Sequence, residues 1–242
     1  MTDDLGFRFT WYGHACVEVE SAGKRILIDP WFGNPRSPKS ADSVQACDLM
    51  LVTHGHGDHV GDSVALASRL RPAWPCIHEM SLWLARQLPG GADQVTGMNK
   101  GGTVEAAGFH VTMTSAEHSA GNWNADGGVP LYLGEPVGFV VELPNGRRFY
   151  HAGDTAVFGD MGLIRQLHHP SVAFLPIGGH YTMDPAAAAV AVGLLGVETV
   201  VPIHYGTFPI LAGTPDQLRQ ALAAEGLGHV TVLSPEPGQT VG

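Results

Sequence analysis

The feature that most constrains this chain is a short apolar run that ends at a cluster of metal-ligand residues. Residues 49–52 are apolar and bounded by polar neighbours, as is typical of a strand that is buried on both faces. Residues 54–59, which follow almost directly, contain three histidines and an aspartate interleaved with glycines. So many ligand types at the end of one strand predict a metal site.

The spacing inside this stretch indicates how the ligands are shared. If the backbone stays extended, His54 and His56 project to the same side and converge on one ion. Gly55 and Gly57 allow the chain to curl, so that the next two ligand residues, Asp58 and His59, face a second ion beside the first. Residues 54–59 therefore predict half of a two-metal site.

This H-x-H-x-D-H pattern resembles the metal-binding motif of the metallo-β-lactamase fold superfamily. Further candidate ligands occur downstream in the order that this family requires, each beside a glycine or at the end of an apolar run. They are His118 in SAEHS, Asp154 in HAGDT and His204 in PIHYG. The resemblance implies that one metal ion is held by His54, His56 and His118, that a second is held by Asp58, His59 and His204, and that Asp154 bridges both.

The resemblance also implies a fold. It predicts an α/β protein, a four-layer αβ/βα sandwich of the metallo-β-lactamase type, in which residues 1–242 form a single domain. Because candidate ligands fall in both halves of the chain, two similar αβ halves must close on one site. The motifs TWYGHA, IDP, GEPVGFVVE, YHAGDT and LPIGGHYTM are most similar to those of small bacterial metal-dependent hydrolases related to ascorbate-6-phosphate lactonase.

Two further residues are candidates for the surroundings of the metals. His14 lies between predicted strands at residues 7–12 and 15–20, and the resemblance of YGHA directs it into the pocket. The alternative is a turn histidine that is bonded to nearby backbone. Asp29 ends a predicted strand and precedes Pro30, so that its carboxylate either accepts a hydrogen bond from a metal-bound imidazole or merely shapes a turn.

Residues 121–136 are expected to contact the substrate. They lie between two candidate ligands and combine Asn, Trp and Tyr with glycines, without the periodicity of a helix or a strand. We expect an irregular active-site loop here, with Trp123 and Tyr132 as substrate contacts. The alternative is an exposed connection with no role in binding.

His180 is the candidate proton donor. It follows a predicted strand at residues 171–176 and precedes Asp184 and Pro185, which are typical of the start of a helix. At such a strand end the imidazole can protonate a leaving group. Equally, it can serve only to shape the start of the helix.

The ligand set indicates hydrolysis. Histidine and carboxylate ligands without cysteine suit borderline divalent ions, so we expect two zinc or manganese ions, while iron, cobalt and nickel also fit. Two such ions about 3.5–4 Å apart lower the pKa of a shared water to about 7. The expected nucleophile is this bridging hydroxide, with Asp58 and Asp154 holding the metal centre and either His180 or a metal-bound water as the acid.

Three functions remain open at this point. The resemblance favours cleavage of a small-molecule ester or lactone. The first alternative is a phosphodiesterase acting on a small nucleotide or a lipid-derived phosphodiester, since one metal site can serve several hydrolases. The second is a non-catalytic metal-binding scaffold, which predicts a metal site closed to water.

Composition restricts the partners. The formal charge of −10, from 13 basic and 23 acidic residues, disfavours nucleic acid. The N-terminus has no apolar segment of the secretory type, and the longest aliphatic stretch, residues 186–197, is too short to span a bilayer. The three cysteines form no C-x-x-C pattern. We therefore expect a cytoplasmic protein with a small-molecule substrate and no membrane contact, and homo-oligomerisation stays open.

Overall fold

The strands form two large sheets and two small ones. The computed structural model describes residues 5–88, 90, 93–123 and 128–242. The strands are β1 (Arg8–Trp11), β2 (Val17–Ser21), β3 (Lys24–Ile28), β4 (Leu49–Leu51), β5 (Trp74–Ile77), β6 (Val95–Met98), β7 (Thr103–Ala106), β8 (Phe109–Ser115), β9 (Gly121–Trp123), β10 (Pro130–Tyr132), β11 (Val137–Glu142), β12 (Arg148–His151), β13 (Val172–Pro176), β14 (Thr199–Ile203), β15 (Thr231–Val232) and β16 (Thr240–Val241). The large sheets have the orders β16-β1-β2-β3-β4 and β15-β14-β13-β12-β11-β8-β7.

The helices lie between these strands in sequence. They are α1 (Gly57–Val60), α2 (Ser63–Leu70), α3 (His78–Gln87), α4 (Met161–His168), α5 (Pro185–Leu195) and α6 (Pro215–Ala224). Helix α3 packs against β5 and β6, whereas α5 packs against β13 and contacts both α4 and α6. The helices therefore form separate groups: α3 packs on the small sheet of β5 and β6, and α4, α5 and α6 form a group beside β13.

The main core lies between the two large sheets. The ring of Phe9 in β1 meets that of Phe174 in β13 edge-on, with centroids 5.3 Å apart. Nearby, the rings of Phe7 and Phe149 are 5.5 Å apart. All of these side chains are buried, and apolar burial of this kind is the main stabilisation of a sandwich. Two sheets packed face to face, with helices outside them, confirm the predicted four-layer αβ/βα sandwich.

Strand direction places the functional loops at one edge of the sandwich. In the first sheet β3 and β4 are parallel, and β1 runs the same way because β2 is antiparallel to both β1 and β3. In the second sheet β12, β13 and β14 are parallel, and β8 runs with them because β11 is antiparallel to both β8 and β12. The candidate ligands follow the carboxyl ends of these strands, where ligands of α/β proteins typically bind.

Helix α5 shows how local chemistry sets an element's ends. Asp184 accepts a hydrogen bond from the backbone N–H of Ala187 at 2.8 Å, and Pro185 occupies the first turn, which confirms the predicted helix start. Gly196 ends the helix in the left-handed conformation. In the part of the chain that the structure describes, no helix is long and apolar enough to cross a membrane.

Most predicted elements are present, but residues 121–136 differ from the expectation. Strands β9 and β10 pair there as a short antiparallel hairpin, with Asn122 opposite Leu131, so the prediction of a wholly irregular loop is wrong. Backbone hydrogen bonds define such short strands, and three residues are too few to show an alternating pattern. For the same reason the pairing of β16 with β1 was not predicted.

Candidate metal centre

The segment after β4 has the predicted shape. The backbone at His56 is extended, and α1 begins at Gly57, so that Asp58 and His59 lie in a first helical turn. His54 Nε2 and His56 Nδ1 are 2.8 Å apart. The same-side projection expected for these two histidines is therefore observed.

His54, His56 and His118 form what we call the first cluster. Each offers a ring nitrogen, and these atoms lie within 4.8 Å of one another. Burial lowers the pKa of all three imidazoles below the ordinary histidine value. Since a neutral imidazole keeps a lone pair, the first cluster is ready to bind a metal ion at neutral pH.

His14, Asp58, His59 and His204 form the second cluster, whose ligand atoms also lie within 4.8 Å of one another. The Nε2 atoms of His14 and His204 are 2.9 Å and 4.0 Å from Asp58 Oδ2. The backbone at His14 and His204 is left-handed, with φ of 52° and 54°, and the His204 N–H donates to the carbonyl of His14 at 2.8 Å. Strained backbone of this kind is common at functional sites.

Asp154 lies between the two clusters. Its Oδ2 is 3.0 Å from His204 Nε2, 3.4 Å from His59 Nε2 and 3.5 Å from His118 Nε2. The preceding Gly153 has φ of 62°, and a Cβ there would lie 2.7 Å from Thr53. Only glycine combines that backbone conformation with so close an approach. Asp154 thus occupies the position expected of a bridging ligand.

Unpaired atoms at the centre fit a metal ion. Among the described residues, Asp154 Oδ1 is buried and has no hydrogen-bond partner, and His59 Nε2 and His204 Nε2 form no hydrogen bond of regular geometry although Asp154 Oδ2 lies 3.4 Å and 3.0 Å from them. Leaving a buried polar atom unsatisfied costs about 1–3 kcal/mol, so these atoms favour a bound ligand. Nitrogen and carboxylate oxygen donors without thiolate suit borderline divalent ions. The residues present therefore fit bound metal.

Asp29 orients the His59 ring through its Nδ1 atom. Its Oδ2 lies 2.8 Å from His59 Nδ1, while the backbone N–H and the hydroxyl of Thr53 donate to the same carboxylate at 2.8 Å and 2.7 Å. A carboxylate that accepts the second N–H of an imidazole fixes the ring and directs its other nitrogen to a metal. The structure thus puts the Asp29 carboxylate next to the imidazole of a candidate metal ligand, as the sequence predicts.

Charge is concentrated in the second cluster. Burial opposes ionisation of Asp58 and Asp154, but the nearby histidines hold the pKa of both carboxyls below the usual range. Burial likewise disfavours a charged His59, yet Asp154 and Asp29 raise the pKa of this imidazole well above its ordinary value. In the metal-free protein His59 is therefore protonated between two carboxylates.

A cavity of about 280 Å³ opens onto the clusters. It is lined by His56, Asp58, His118, Ser119, Asp154, Tyr181 and His204, with neither lysine nor arginine among these described residues. Five of the seven are candidate ligands, so a bound molecule would directly meet the metals. This geometry leaves room for water or substrate, as a catalytic site requires.

The structure places the other candidates less centrally. His180 faces a neighbouring groove with Val157 and Met183, whereas Tyr181, not singled out from the sequence, lines the metal pocket. Tyr132 is 57 % exposed, and its hydroxyl donates to Glu135 at 2.9 Å. Trp123 lies in β9, but its side chain is outside the described residues. Substrate contacts by Tyr132 and Trp123 stay predictions.

The chain is similar to known proteins over most of its length. Residues 24–205 match the family model described as a beta-lactamase superfamily domain. A UPF0173 metal-dependent hydrolase of Koribacter versatilis is 46 % identical over 220 residues, which cover 90 % of this chain and 92 % of that protein. A second one, from Roseiflexus castenholzii, is 44 % identical over 237 residues, covering 96 % of each.

A solved structure extends the similarity to three dimensions. Igni18, described as a novel metallo hydrolase from the hyperthermophilic archaeon Ignicoccus hospitalis, matches with a TM-score of 0.84 and 37 % sequence identity. The match covers 97 % of both chains. The similarity therefore extends over nearly the whole of both chains.

Proposed function

Because the chain belongs to the metallo-β-lactamase superfamily and is a metal-dependent hydrolase, we propose that it cleaves an uncharged carboxylic ester or lactone at two metal ions. The observation that carries this proposal is the pocket itself. Two ligand clusters meet at Asp154, and the cavity that opens onto them has no lysine or arginine in its described lining.

We infer the ligands of each metal from the two clusters. His54, His56 and His118 would hold one ion, and Asp58, His59 and His204 the other, with Asp154 shared. Zinc and manganese are our first choices, since the donor set suits borderline ions. When bound, such ions supply a water nucleophile of lowered pKa and a Lewis acid for the scissile oxygen.

The lining of the cavity favours a neutral substrate. Two bound divalent ions would offset the charge of Asp58 and Asp154, which face the cavity as carboxylates. Beyond the metals, however, the described lining offers no lysine or arginine to bind the remaining charge of a phosphodiester. A neutral carbonyl compound needs no such partner, and we therefore rank the phosphodiesterase second.

Exposed apolar side chains near the ligands support an organic substrate. Tyr181 and Phe208, in the loops after β13 and β14, are each more than two-fifths exposed. The ring of Phe208 lies 6.2 Å from that of Trp31, and both rings contact His14 edge-on. Exposed apolar groups beside a pocket typically contact apolar parts of a ligand.

Tyr181 takes the donor role that the sequence assigned to His180. Its ring lines the metal pocket, so its hydroxyl can donate a hydrogen bond to the carbonyl or leaving oxygen of a substrate. The ring of His180 meets that of Tyr181 edge-on at 4.4 Å. We assign His180 to holding the phenol in place.

The same proposal extends to the domain organisation, the cellular location and the kind of substrate. A single domain spanning residues 1–242, a cytoplasmic location and a small-molecule substrate are what we expect for this hydrolase. An open pocket of ligand residues also makes the non-catalytic scaffold the weakest of the three functions, because structural metal sites are normally closed by protein ligands.

One experiment tests the function. Metal-reconstituted wild-type protein and the Asp154→Asn variant are assayed on a panel of lactones, carboxylic esters and phosphodiesters. We expect lactone or ester turnover that falls about a thousandfold in the variant, which keeps its fold. The matched control is Asp42→Asn, the same change at an exposed position. Turnover of phosphodiesters alone, or full activity of Asp154→Asn, would refute the proposal.

A further inference from the structure

His14 is buried in the second cluster although the ligand set implied by the family resemblance does not include it. It lies in the turn between β1 and β2, far in sequence from the histidine motif, and is 1 % exposed. Its Nε2 belongs to the same group of converging atoms as those of Asp58, His59 and His204. A buried imidazole at this position requires a role.

The hydrogen bonds of His14 define that role. Nε2 lies 2.9 Å from Asp58 Oδ2, and Nδ1 lies 3.0 Å from the hydroxyl of Thr207. An ionised carboxylate only accepts hydrogen bonds, so the proton must be on Nε2. In a neutral ring Nδ1 then accepts from the hydroxyl of Thr207. A nitrogen that carries a proton has no lone pair to offer a metal, so this arrangement excludes direct ligation through Nε2.

The surrounding structure holds His14 in this orientation. Its carbonyl accepts hydrogen bonds from the Trp11 indole N–H and from the backbone N–H of His204, both at 2.8 Å. The rings of His204 and Trp31 pack on its imidazole, with centroids 3.9 Å and 5.1 Å away. The direction of the ring is therefore set by protein contacts.

We propose that His14 and Thr207 act together as positioning residues that aim the Asp58 carboxylate at the metal of the second cluster. Thr207 fixes which ring nitrogen of His14 carries the proton, and His14 Nε2–H then holds Asp58 Oδ2. Asp58 needs such support because it is the most exposed member of its cluster, with a side chain that is 33 % exposed. The inference rests on the proposed function in one respect, that Asp58 is a metal ligand.

Metal binding tests this proposal without any substrate. Metal per chain and the dissociation constant of each ion are measured by competition with a chromophoric chelator. We expect Thr207→Val to weaken binding of one of the two ions about tenfold, as loss of a supporting hydrogen bond does at other metal sites. We expect His14→Asn, which tolerates the left-handed backbone, to weaken the same ion by up to about a hundredfold.

Two further variants complete the test. Thr207→Ser returns the hydroxyl and should restore most of the affinity lost in Thr207→Val. Thr112→Val is the matched control, because Thr112 is 8 % exposed like Thr207, and its hydroxyl lies 2.8 Å from that of Thr103, remote from both clusters. Circular dichroism checks that each variant is folded, and if His14→Asn does not fold, the Thr207 variants decide.

Three outcomes would overturn the inference. The inference fails if Thr207→Val binds both ions as tightly as Thr112→Val does. Complete loss of one ion in His14→Asn, with normal binding in Thr207→Val, would identify His14 as a ligand instead. Wild-type protein that binds only one ion would overturn both this inference and the two-metal function, whereas failure on the substrate panel alone would leave this result intact.

Discussion

The two ligand clusters are built differently. The first cluster consists of three imidazoles; His54 is buried, while His56 and His118 are partly exposed and line the pocket. The second cluster contains a carboxylate, and its three histidines are all buried. It is also tied by hydrogen bonds to Asp29 and Thr207 outside the cluster.

Their dependence on the fold differs accordingly. Two of the three residues of the first cluster are neighbours in sequence, so local backbone geometry brings them together. The second cluster combines three separate segments, the β1–β2 turn, helix α1 and the end of β14, whereas the first combines two, the segments after β4 and β8. Both clusters join the two large sheets, but the second depends on more contacts between distant segments, so metal binding there is more closely coupled to folding.

The largest expected difference between the clusters comes from removing one histidine from each. Each of His118→Ala and His204→Ala should lose one bound ion and about a thousandfold in activity. In metal-free protein, however, His204→Ala leaves the buried Asp154 without its nearest partner, 3.0 Å away, and should cost about 3 kcal/mol of unfolding free energy. His118→Ala should cost less than about 1 kcal/mol, because His118 is partly exposed and farther from Asp154.

Urea denaturation of the metal-free variants, followed by circular dichroism, measures both costs. Metal analysis on the same samples gives the number of ions lost. Equal destabilisation by the two variants would mean that the clusters depend on the fold to the same extent, contrary to the comparison.

Asp29→Asn should separate the clusters more finely, because Asp29 contacts His59 of the second cluster directly but reaches His54 of the first cluster only through the Thr53 hydroxyl. Losing the carboxylate at His59 Nδ1 is expected to weaken one of the two ions about 10–100-fold and to weaken the other much less. The control is Asp48→Asn, whose carboxylate accepts the Arg25 N–H at 2.9 Å beside the opposite end of β4. Chelator competition measures both ions, and equal weakening of both would contradict the assignment.

The smallest expected effect is a difference in the number of protons that each cluster releases when a metal ion binds. The pKa of His59 is raised well above its ordinary value, so His59 is protonated at pH 7 and must release a proton when metal binds. Affinity at the second cluster should therefore rise with pH until the pH exceeds that raised pKa. The pKa values of His54, His56 and His118 are lowered, so the first cluster should release no proton from them at pH 7.

Titration calorimetry in two buffers of different ionisation enthalpy counts the protons released with each ion. The expected pattern is one proton from His59 with the ion at the second cluster, besides the proton that a water shared by both ions loses when the second ion binds. Total release of no more than the proton of this water would show that His59 is not protonated in the metal-free protein.

Sequence reasoning was most successful where contacts are local. The spacing of residues 54–59, the start of α5 at Asp184 and the strand ends before His118 and His204 depend on backbone periods and capping, which a sequence displays directly. The β9–β10 hairpin was missed because its strands are too short to have a period.

What the sequence by itself determined is the set of ligand types, their order and the αβ/βα sandwich that carries them. Only the tertiary structure decided that Tyr181 and not His180 lines the pocket, and that Thr207 meets the ring of His14 across 193 positions of sequence. The physical reason is that ligand spacing follows from local backbone geometry, whereas contacts between distant segments depend on how two sheets pack. No local pattern encodes that packing.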